Sequence, residues 1–392
     1  MRDNKMKNLS NRATSFTESV IRKMTLVANK YNSINLAQGF PEFDPPFEIL
    51  NRLQEISLTG PHQYSITCGA KNLREAIAKK HEKLTGITTN PEENVVVTCG
   101  GTEAMMASMM AITNPGDKVI IFSPFYENYK ADAILSGAEP IFVKLNPPNF
   151  DFDISELENA FKQNPKAIIL CNPSNPSGKV FTREELQIIA DFAEKYDTYV
   201  VTDEVYDHIV YKPYVHTYFA SLPKMKDRTI TTTSLSKTYS ITGWRLGYTI
   251  ANKEITQAIK SVHDFLTVGA AAPLQEAAIV GLNFGDDYYE QLQEKYTHKR
   301  DIFLNGLKEI GLDFYSPQGT YFVMVDISKF NRKSDYDFCV ELSQKIGVTP
   351  VPGSSFFKDD NNDYVRFHFA KNDDTLIEAI NRLRKINDLL VD

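Results

Sequence analysis

The chain has few cysteines, no long apolar run and no excess of positive charge. Its four cysteines (Cys68, Cys99, Cys171 and Cys339) lie far apart and form no metal-type pair, so we expect free thiols in a reducing cytoplasm. No apolar run approaches the length that crosses a bilayer, and residues 1–24 lack the apolar segment of a secretory signal. These absences predict a cytoplasmic protein with no membrane partner.

The charge balance argues against nucleic acid as a partner. The 392 residues include 43 Lys and Arg against 50 Asp and Glu, which gives a net charge of −7, and such a surface repels phosphate backbones. The seven histidines show no metal-ligand spacing, so we expect no protein-bound metal. The length and the 42% hydrophobic content predict an ordinary globular protein of two or three domains.

Short apolar runs alternate with helical patterns between about residues 94 and 233. Strands are predicted over residues 94–98, 118–122, 139–143, 166–170, 199–202 and 229–233. Apolar strands that alternate with helices are typical of an α/β fold in which helices cover both faces of a mostly parallel sheet.

The pattern divides the chain into three parts. Residues 46–285 are predicted to form a large α/β domain. Residues 286–392 are predicted to form a smaller α+β domain, with helices over 288–310, 336–346 and 374–389 and strands over 321–325 and 364–369. Residues 1–45 have no sheet of their own, and we expect them to pack against the smaller domain.

Polar residues that suit a phosphate group follow several predicted strands. Ligands of open parallel sheets bind beyond the carboxyl ends of the strands. The amides of Gly101 and Thr102 lie at the predicted start of a helix, where the helix dipole favours an anion. Ser234 and Arg245 are placed to close the phosphate from the other side, with charge-assisted hydrogen bonds from the arginine.

Three further residues at this edge suit an aromatic aldehyde. Tyr126 is placed to stack on an aromatic ring, and Asp203 to pair with a protonated ring nitrogen. Lys237 supplies an amine that forms a Schiff base with an aldehyde. A phosphorylated aromatic aldehyde with a ring nitrogen is pyridoxal phosphate, which is the cofactor we predict.

Each of these residues also has an ordinary structural interpretation. Lys237 alone fits a solvated surface lysine, Tyr126 a half-buried core aromatic, and Asp203 a helix cap. Asn175, within NPSNPSG, fits simple turn chemistry, and Arg245 fits a surface ion pair. Their shared position at one edge of one predicted sheet is what favours a binding site.

Four segments resemble the motifs of the class I aminotransferases, which use pyridoxal phosphate on the fold called type I. They are SLSKTYSITGWRLGY (residues 234–248), CNPSNPSG (171–178), DEVY (203–206) and PHQYSITCG (61–69). Residues 364–369 are similar to the segment that carries the carboxylate-binding arginine of this family. The resemblance covers nearly the whole chain, and it implies a seven-stranded, mostly parallel sheet between helices.

The resemblance implies a role for each matching residue toward the cofactor. Lys237 forms the Schiff base and later moves the proton of the substrate α-carbon. Asp203 binds the pyridine nitrogen, while Tyr206 and Asn175 donate hydrogen bonds to the ring hydroxyl oxygen. Tyr126 stacks on the ring. The phosphate is held by Gly101, Thr102, Ser234 and Arg245.

The resemblance also implies how the substrate is held and how two chains assemble. Arg366 clamps the substrate α-carboxylate in a bidentate fork, with help from Asn175 and from the backbone at Gly39. Tyr64 reaches the phosphate of the neighbouring subunit, which implies a homodimer with shared active sites. The partners expected are therefore a second copy of the chain, an L-amino acid and a 2-oxo acid such as 2-oxoglutarate.

The amino donor is only partly indicated. The segment QGFPEFDPP (residues 38–46) is similar to the branch with kynurenine, glutamine and methionine aminotransferases, whereas residues 266–275 are more similar to prokaryotic aspartate and aromatic aminotransferases. Val268 and Gly269 stand where kynurenine-type enzymes carry an aromatic–histidine pair, and no second arginine is placed against a side-chain carboxylate. We therefore favour methionine, glutamine or aromatic donors, with aspartate as a further candidate.

Three other functions fit parts of the sequence. A carbon–sulfur β-lyase shares the fold and the lysine, and the motifs do not distinguish it. Residues 234–237 match the S-x-x-K of penicillin-binding proteins, but S-D-N and K-T-G are missing. A transcriptional regulator with an aminotransferase-like domain would need an extra DNA-binding domain, and the predicted large domain already starts near residue 46.

Overall fold

A computed structural model of the chain describes residues 7–16, 18–359 and 361–390. Over these residues the helices are α1 (Asn11–Thr14), α2 (Val20–Tyr31), α3 (Phe47–Thr59), α4 (Lys71–Thr85), α5 (Gly101–Ile112), α6 (Asn128–Leu135), α7 (Ile154–Phe161), α8 (Arg183–Lys195), α9 (Lys253–Leu266), α10 (Ala272–Leu282), α11 (Asp286–Ile310), α12 (Asp335–Lys345) and α13 (Asp373–Leu383). No helix in the described ranges has both the length and the apolar character that a membrane span requires.

The strands alternate with these helices as the sequence predicts. They are β1 (Ile34–Asn35), β2 (Val95–Thr98), β3 (Lys118–Ser123), β4 (Glu139–Asn146), β5 (Asp151–Phe152), β6 (Ala167–Cys171), β7 (Tyr199–Asp203), β8 (Thr229–Ser234), β9 (Gly247–Ile250), β10 (Phe314–Tyr315), β11 (Phe322–Asp326), β12 (Val348–Thr349), β13 (Val351–Pro352) and β14 (Tyr364–His368).

The large sheet has the strand order β2-β9-β8-β7-β6-β3-β4-β5. Its central strands are parallel, whereas β9 runs antiparallel to both β2 and β8, and the two-residue β5 is antiparallel to β4. The predicted α/β fold with a mostly parallel sheet is confirmed, with seven longer strands and one short edge strand. Strand β9 was not predicted, because its four residues directly follow the glycine-rich turn of the lysine segment.

Local sequence signals fix several element ends. Helix α8 starts with a capping box in which the Thr182 side chain accepts from the Glu185 amide and the Glu185 side chain accepts from the Thr182 amide. Helix α11 ends at Gly311, which has a φ of 78°, a left-handed conformation that glycine adopts without steric cost. The last predicted helix, over residues 374–389, is wrong at its end, because α13 stops at Leu383 and a separate 3₁₀ turn follows over Ile386–Leu389.

A second, antiparallel sheet lies in the C-terminal part, with the order β10-β11-β14-β13. The short strand β1 pairs in parallel with β12, and Met24 and Leu36 share one buried cluster with Phe303 and Val365. Thus the N-terminal segment packs against the C-terminal part of the chain. The domain boundaries at residues 45 and 285 stay a prediction.

Candidate active site

The register of the large sheet brings the predicted site residues to one edge. Cys171 at the end of β6 lies opposite Asp203 at the end of β7, and Asp203 lies opposite Thr232 near the end of β8. Ser234, the last residue of β8, pairs with Gly247 of β9. Because β6, β7 and β8 are parallel, the segments that follow them open on the same side of the sheet.

Lys237 lies three residues beyond β8 and points to the N-terminal segment. Its Nζ donates a hydrogen bond to the Gly39 carbonyl oxygen at 3.0 Å, and the hydroxyl of Tyr321 donates to the same oxygen at 3.0 Å. Burial lowers the pKa of Lys237 to about 8, and the positive charges of Arg245 and Arg366 act in the same direction. A larger share of the amine is therefore neutral near pH 7 than in an ordinary lysine.

The carboxylate of Asp203 is buried and held from two sides. The hydroxyl of Tyr129 donates to Asp203 Oδ2 at 2.7 Å, and the Val205 amide donates to Oδ1 at 3.2 Å. Burial raises the pKa of Asp203 above its ordinary value, while these two hydrogen bonds oppose the rise. Tyr129 was not among the predicted site residues, since it lies inside α6, 74 residues from its partner, and no local motif marks it.

Asn175 and Arg366 come together at the junction between the two sheets. Arg366 Nη1 donates to Asn175 Oδ1 at 2.7 Å, and Nη2 donates to the Ala37 carbonyl oxygen at 3.0 Å. The guanidinium carbon lies 4.1 Å from the ring centroid of Phe322 and 4.5 Å from that of Phe356. Burial lowers the pKa of Arg366 to about 10, so the side chain stays charged at neutral pH.

Gly100, just before α5, lies against the guanidinium of Arg245. Gly100 has a φ of 89°, and a Cβ atom built on it would lie 2.5 Å from Arg245 Nη2. Arg245 itself is exposed, and its Nη1 donates to the Thr242 carbonyl oxygen at 2.9 Å. The hydroxyl of Ser234 donates to Ser236 Oγ at 2.7 Å and contacts the Leu246 carbonyl oxygen at 3.0 Å.

These groups fit pyridoxal phosphate. Amides at the start of α5, the hydroxyls of Ser234 and Ser236 and the Arg245 guanidinium are donors of the kind that a phosphate requires, and the absence of a side chain on Gly100 leaves room for the arginine. Asp203 offers a carboxylate for a ring nitrogen. Within the described residues Arg366 Nε has no hydrogen-bond partner, which leaves donor capacity for a bound carboxylate. No cluster of metal-ligating side chains occurs in these residues.

The aromatic residues of the site form edge-to-face contacts. The ring of Tyr126 lies 5.7 Å from that of Tyr129, at 83°, and the ring of Tyr206 lies 5.3 Å from that of Tyr321, at 87°. Burial raises the pKa of Tyr126 to about 12, so its hydroxyl keeps its proton. Tyr321 was missed by the sequence analysis, because it stands just before β11 and reads there as part of an apolar strand.

Two predicted site residues have exposed side chains within the single chain. Tyr64 is 89% exposed, and the exposed hydroxyl of Thr102 accepts from Asn128 Nδ2 at 3.5 Å. Gly101, by contrast, lies close to β8: a Cβ atom built on it would be 3.5 Å from Ser234 Cβ.

A buried hydrogen-bond network connects the start of α5 with the segment that carries Tyr64. Glu103 Oε2 accepts from the Cys99 amide at 2.5 Å, and Glu103 Oε1 lies 2.7 Å from His263 Nδ1. His263 Nε2 in turn lies 3.0 Å from the Thr67 carbonyl oxygen. No local motif indicates this pairing, because Glu103 and His263 are 160 residues apart.

Comparison with known proteins gives one consistent family. The family "aminotransferase class I and II" matches residues 31–383. The methionine aminotransferase of Escherichia coli K12 is 35% identical over 94% of this chain and 96% of its own length. The kynurenine–oxoglutarate transaminase of Dictyostelium discoideum is 35% identical over 96% of each chain. The solved structure of N-succinyldiaminopimelate aminotransferase from Mycobacterium tuberculosis superposes with a TM-score of 0.93 at 34% identity, over 96% of this chain and 99% of that one.

Proposed function

The chain belongs to the class I and II aminotransferases, and we propose that it uses methionine, glutamine or an aromatic amino acid as amino donor. It is a pyridoxal-phosphate-dependent transaminase of fold type I. The bound cofactor supplies an aldehyde that condenses with amines and a ring that withdraws electrons from the substrate α-carbon. The roles of individual residues described below are part of the proposal.

Lys237 acts on the proton of the substrate α-carbon. Its lowered pKa, about 8, lets the neutral amine accept a proton near physiological pH, and the ammonium then returns it. The Gly39 carbonyl, which accepts from Nζ at 3.0 Å, orients the amine. Asp203 holds a proton on the cofactor ring nitrogen, with Tyr129 fixing the carboxylate at 2.7 Å.

Arg366 binds the α-carboxylate that every donor and acceptor carries. Asn175 and the Ala37 carbonyl fix the planar guanidinium, so that little freedom is lost when a carboxylate binds. The remaining cofactor contacts assigned are a stacking contact from Tyr126 and a hydrogen bond from Tyr206. Gly101, Thr102, Ser234 and Arg245 are assigned to binding of the cofactor phosphate. The backbone at Gly39 is assigned to binding of the substrate.

The aromatic surroundings of Arg366 are the observation that carries the choice of donor. Phe322 and Phe356 flank the guanidinium, and Phe40, which is 36% exposed, follows Gly39 in the same segment. Such surroundings favour an uncharged donor side chain over a second carboxylate. One relative, a methionine aminotransferase, supports this choice.

A homodimer with shared active sites is also part of the proposal. Tyr64 and Ile66 are 89% and 58% exposed, and Phe265 and Val268 are 92% and 49% exposed. Thr67 Oγ1 donates to Asp264 Oδ1 at 2.8 Å, so these apolar side chains belong to one surface. A contiguous exposed apolar surface is typical of an interface, and Tyr64 on it is placed to reach a partner's phosphate. The proposed location is the cytoplasm, supported by the four cysteines, all of which are free.

A donor panel tests the choice of substrate. We would measure kcat/KM of the holoenzyme for methionine, glutamine, phenylalanine, kynurenine and aspartate, with 2-oxoglutarate as acceptor, and expect the first three to exceed aspartate at least tenfold. Activity with aspartate alone contradicts the proposal. Release of ammonia and pyruvate from a β-substituted donor such as cystathionine, without transfer to an acceptor, would establish the β-lyase alternative instead.

A further inference from the structure

A cavity of about 560 Å³ lies among residues to which the proposed function gives no role. Its walls come from α4, from the turn and loop after β7 and from the start of α11, and they include Lys80, Asp207, His208, His216 and Tyr289. A volume of several hundred cubic ångströms is typical of pockets for small molecules. None of the residues assigned to the cofactor or to the substrate lines it.

Charges of both signs face this cavity. Lys83 is paired with Asp286, and the other charged side chains that line the cavity are Lys79, Lys80, Asp207 and Glu290. Lys80 Nζ lies 3.4 Å from the Tyr239 hydroxyl and 4.5 Å from the ring centroid of Tyr289, and over the described residues it forms no ion pair. A cavity with both a cation and an anion suits a ligand that carries both charges.

Two histidines present unsatisfied polar atoms there. The His216 side chain is 5% exposed, and neither its Nε2 nor that of His208 has a hydrogen-bond partner within the described residues. The Asn172 amide nitrogen lies 3.4 Å from His216 Nδ1, so Nδ1 accepts and the proton lies on Nε2. The nearest carboxylate oxygen, Glu204 Oε2, is 3.9 Å away, beyond hydrogen-bond distance. Buried polar atoms are rarely left without a hydrogen-bond partner, and a ligand oxygen would accept a hydrogen bond from His216 Nε2.

The remaining wall is apolar and aromatic. Tyr289 stacks on His208 with ring centroids 4.2 Å apart, and Leu84, Val210 and Phe284 are among the apolar residues of the lining. Such a wall suits a bulky apolar group. We propose that this cavity is a second binding site, for the zwitterion of a free amino acid with a bulky apolar side chain. Its carboxylate binds Lys80 and His216, and its ammonium group binds Asp207.

The site connects directly with the segments that carry Lys237 and Asp203. The hydroxyls of Tyr239 and Tyr289 are 2.9 Å apart, and Tyr288 donates to the Thr238 carbonyl oxygen at 2.6 Å. Asp207 lies on the same turn as Tyr206, whose ring contacts Tyr321 on the catalytic side. A ligand in the cavity therefore contacts Tyr289, which is hydrogen-bonded to Tyr239, two residues beyond Lys237.

Calorimetry with L-phenylalanine tests the site. The holoenzyme is first reduced with borohydride, which fixes the cofactor to its lysine so that an added amino acid cannot displace it. We expect one phenylalanine per chain to bind. Lys80→Met and His216→Gln should each weaken binding at least tenfold. Lys71→Met, a change of an exposed lysine on the same helix, should leave it unchanged.

Further variants and probes separate this site from the catalytic one. Arg366→Lys should leave the measured binding unchanged, because Arg366 does not line the cavity. If Arg366→Lys loses phenylalanine binding and Lys80→Met retains it, the measured heat comes from binding at the catalytic site, and the proposal is overturned. Absence of binding to the folded, reduced holoenzyme overturns it too, and so does binding of inorganic phosphate in place of phenylalanine.

Discussion

Arg366 donates a hydrogen bond of 2.7 Å from its Nη1 to Asn175 Oδ1. The two residues are 191 positions apart, since Arg366 lies on β14 of the smaller sheet and Asn175 lies in the turn that follows β6 of the large sheet. The contact fixes the plane of the guanidinium between two phenylalanine rings. It therefore couples the proposed carboxylate clamp to the loop that is assigned to the cofactor ring.

Arg366→Lys tests the clamp. A lysine keeps the charge but loses the planar fork, and one charge-assisted hydrogen bond is worth roughly 1.5–3 kcal/mol. We expect kcat/KM to fall about 10- to 100-fold for every amino acid and oxo acid, mainly through KM. Arg382→Lys, at a surface arginine paired with Glu378, is the control. Equal losses in both variants would refute a specific role for Arg366.

Tyr129→Phe tests the support of Asp203. Without the hydroxyl that donates to Oδ2, the pKa of Asp203 rises further, because this hydrogen bond favours the carboxylate. We expect kcat to fall about tenfold, equivalent to about 1.4 kcal/mol, with the cofactor retained. Tyr315→Phe, which removes a hydroxyl bonded to Tyr364, serves as the control. A wild-type kcat for Tyr129→Phe would show that the bond is dispensable.

The pH dependence of cofactor capture by the apoenzyme tests the environment of Lys237. Burial and two neighbouring arginines disfavour the ammonium form, so the amine loses its proton near pH 8 rather than near 10.4. We expect the capture rate to rise between about pH 7 and 9 and to level off above. Asp203→Asn should move the midpoint to lower pH, because the Asp203 charge raises the pKa of Lys237. A rate that still rises at pH 10 would contradict this assignment.

Phe265→Glu tests the proposed interface. Phe265 is 92% exposed, and a charge within an apolar interface is costly to bury. We expect a monomer by light scattering, with weaker cofactor binding because Tyr64 no longer reaches a partner. Ile377→Glu, on α13 and 48% exposed, should leave the assembly intact. A monomeric wild-type protein with full activity would exclude shared sites.

The sequence was sufficient to predict the parallel sheet and the segments that follow its strands at one edge. Glycine-rich and asparagine-rich motifs mark where strands end, so Asp203 and Lys237 could be placed at one edge from periodicity alone. Partners that depend on packing between distant segments could not be found this way. Tyr129 is an ordinary helix residue until α6 packs beside β7, and the Glu103–His263 pair joins α5 to α9 with no local signature.

Peptide mapping of the borohydride-reduced holoenzyme tests the central claim most directly, namely that Lys237 carries the cofactor. Reduction converts the linkage into a stable one, and mass spectrometry of a digest then identifies the labelled lysine. We predict one pyridoxyl group per chain, on Lys237, and no label after Lys237→Ala. A label on another lysine, with Lys237 unmodified, would contradict the account.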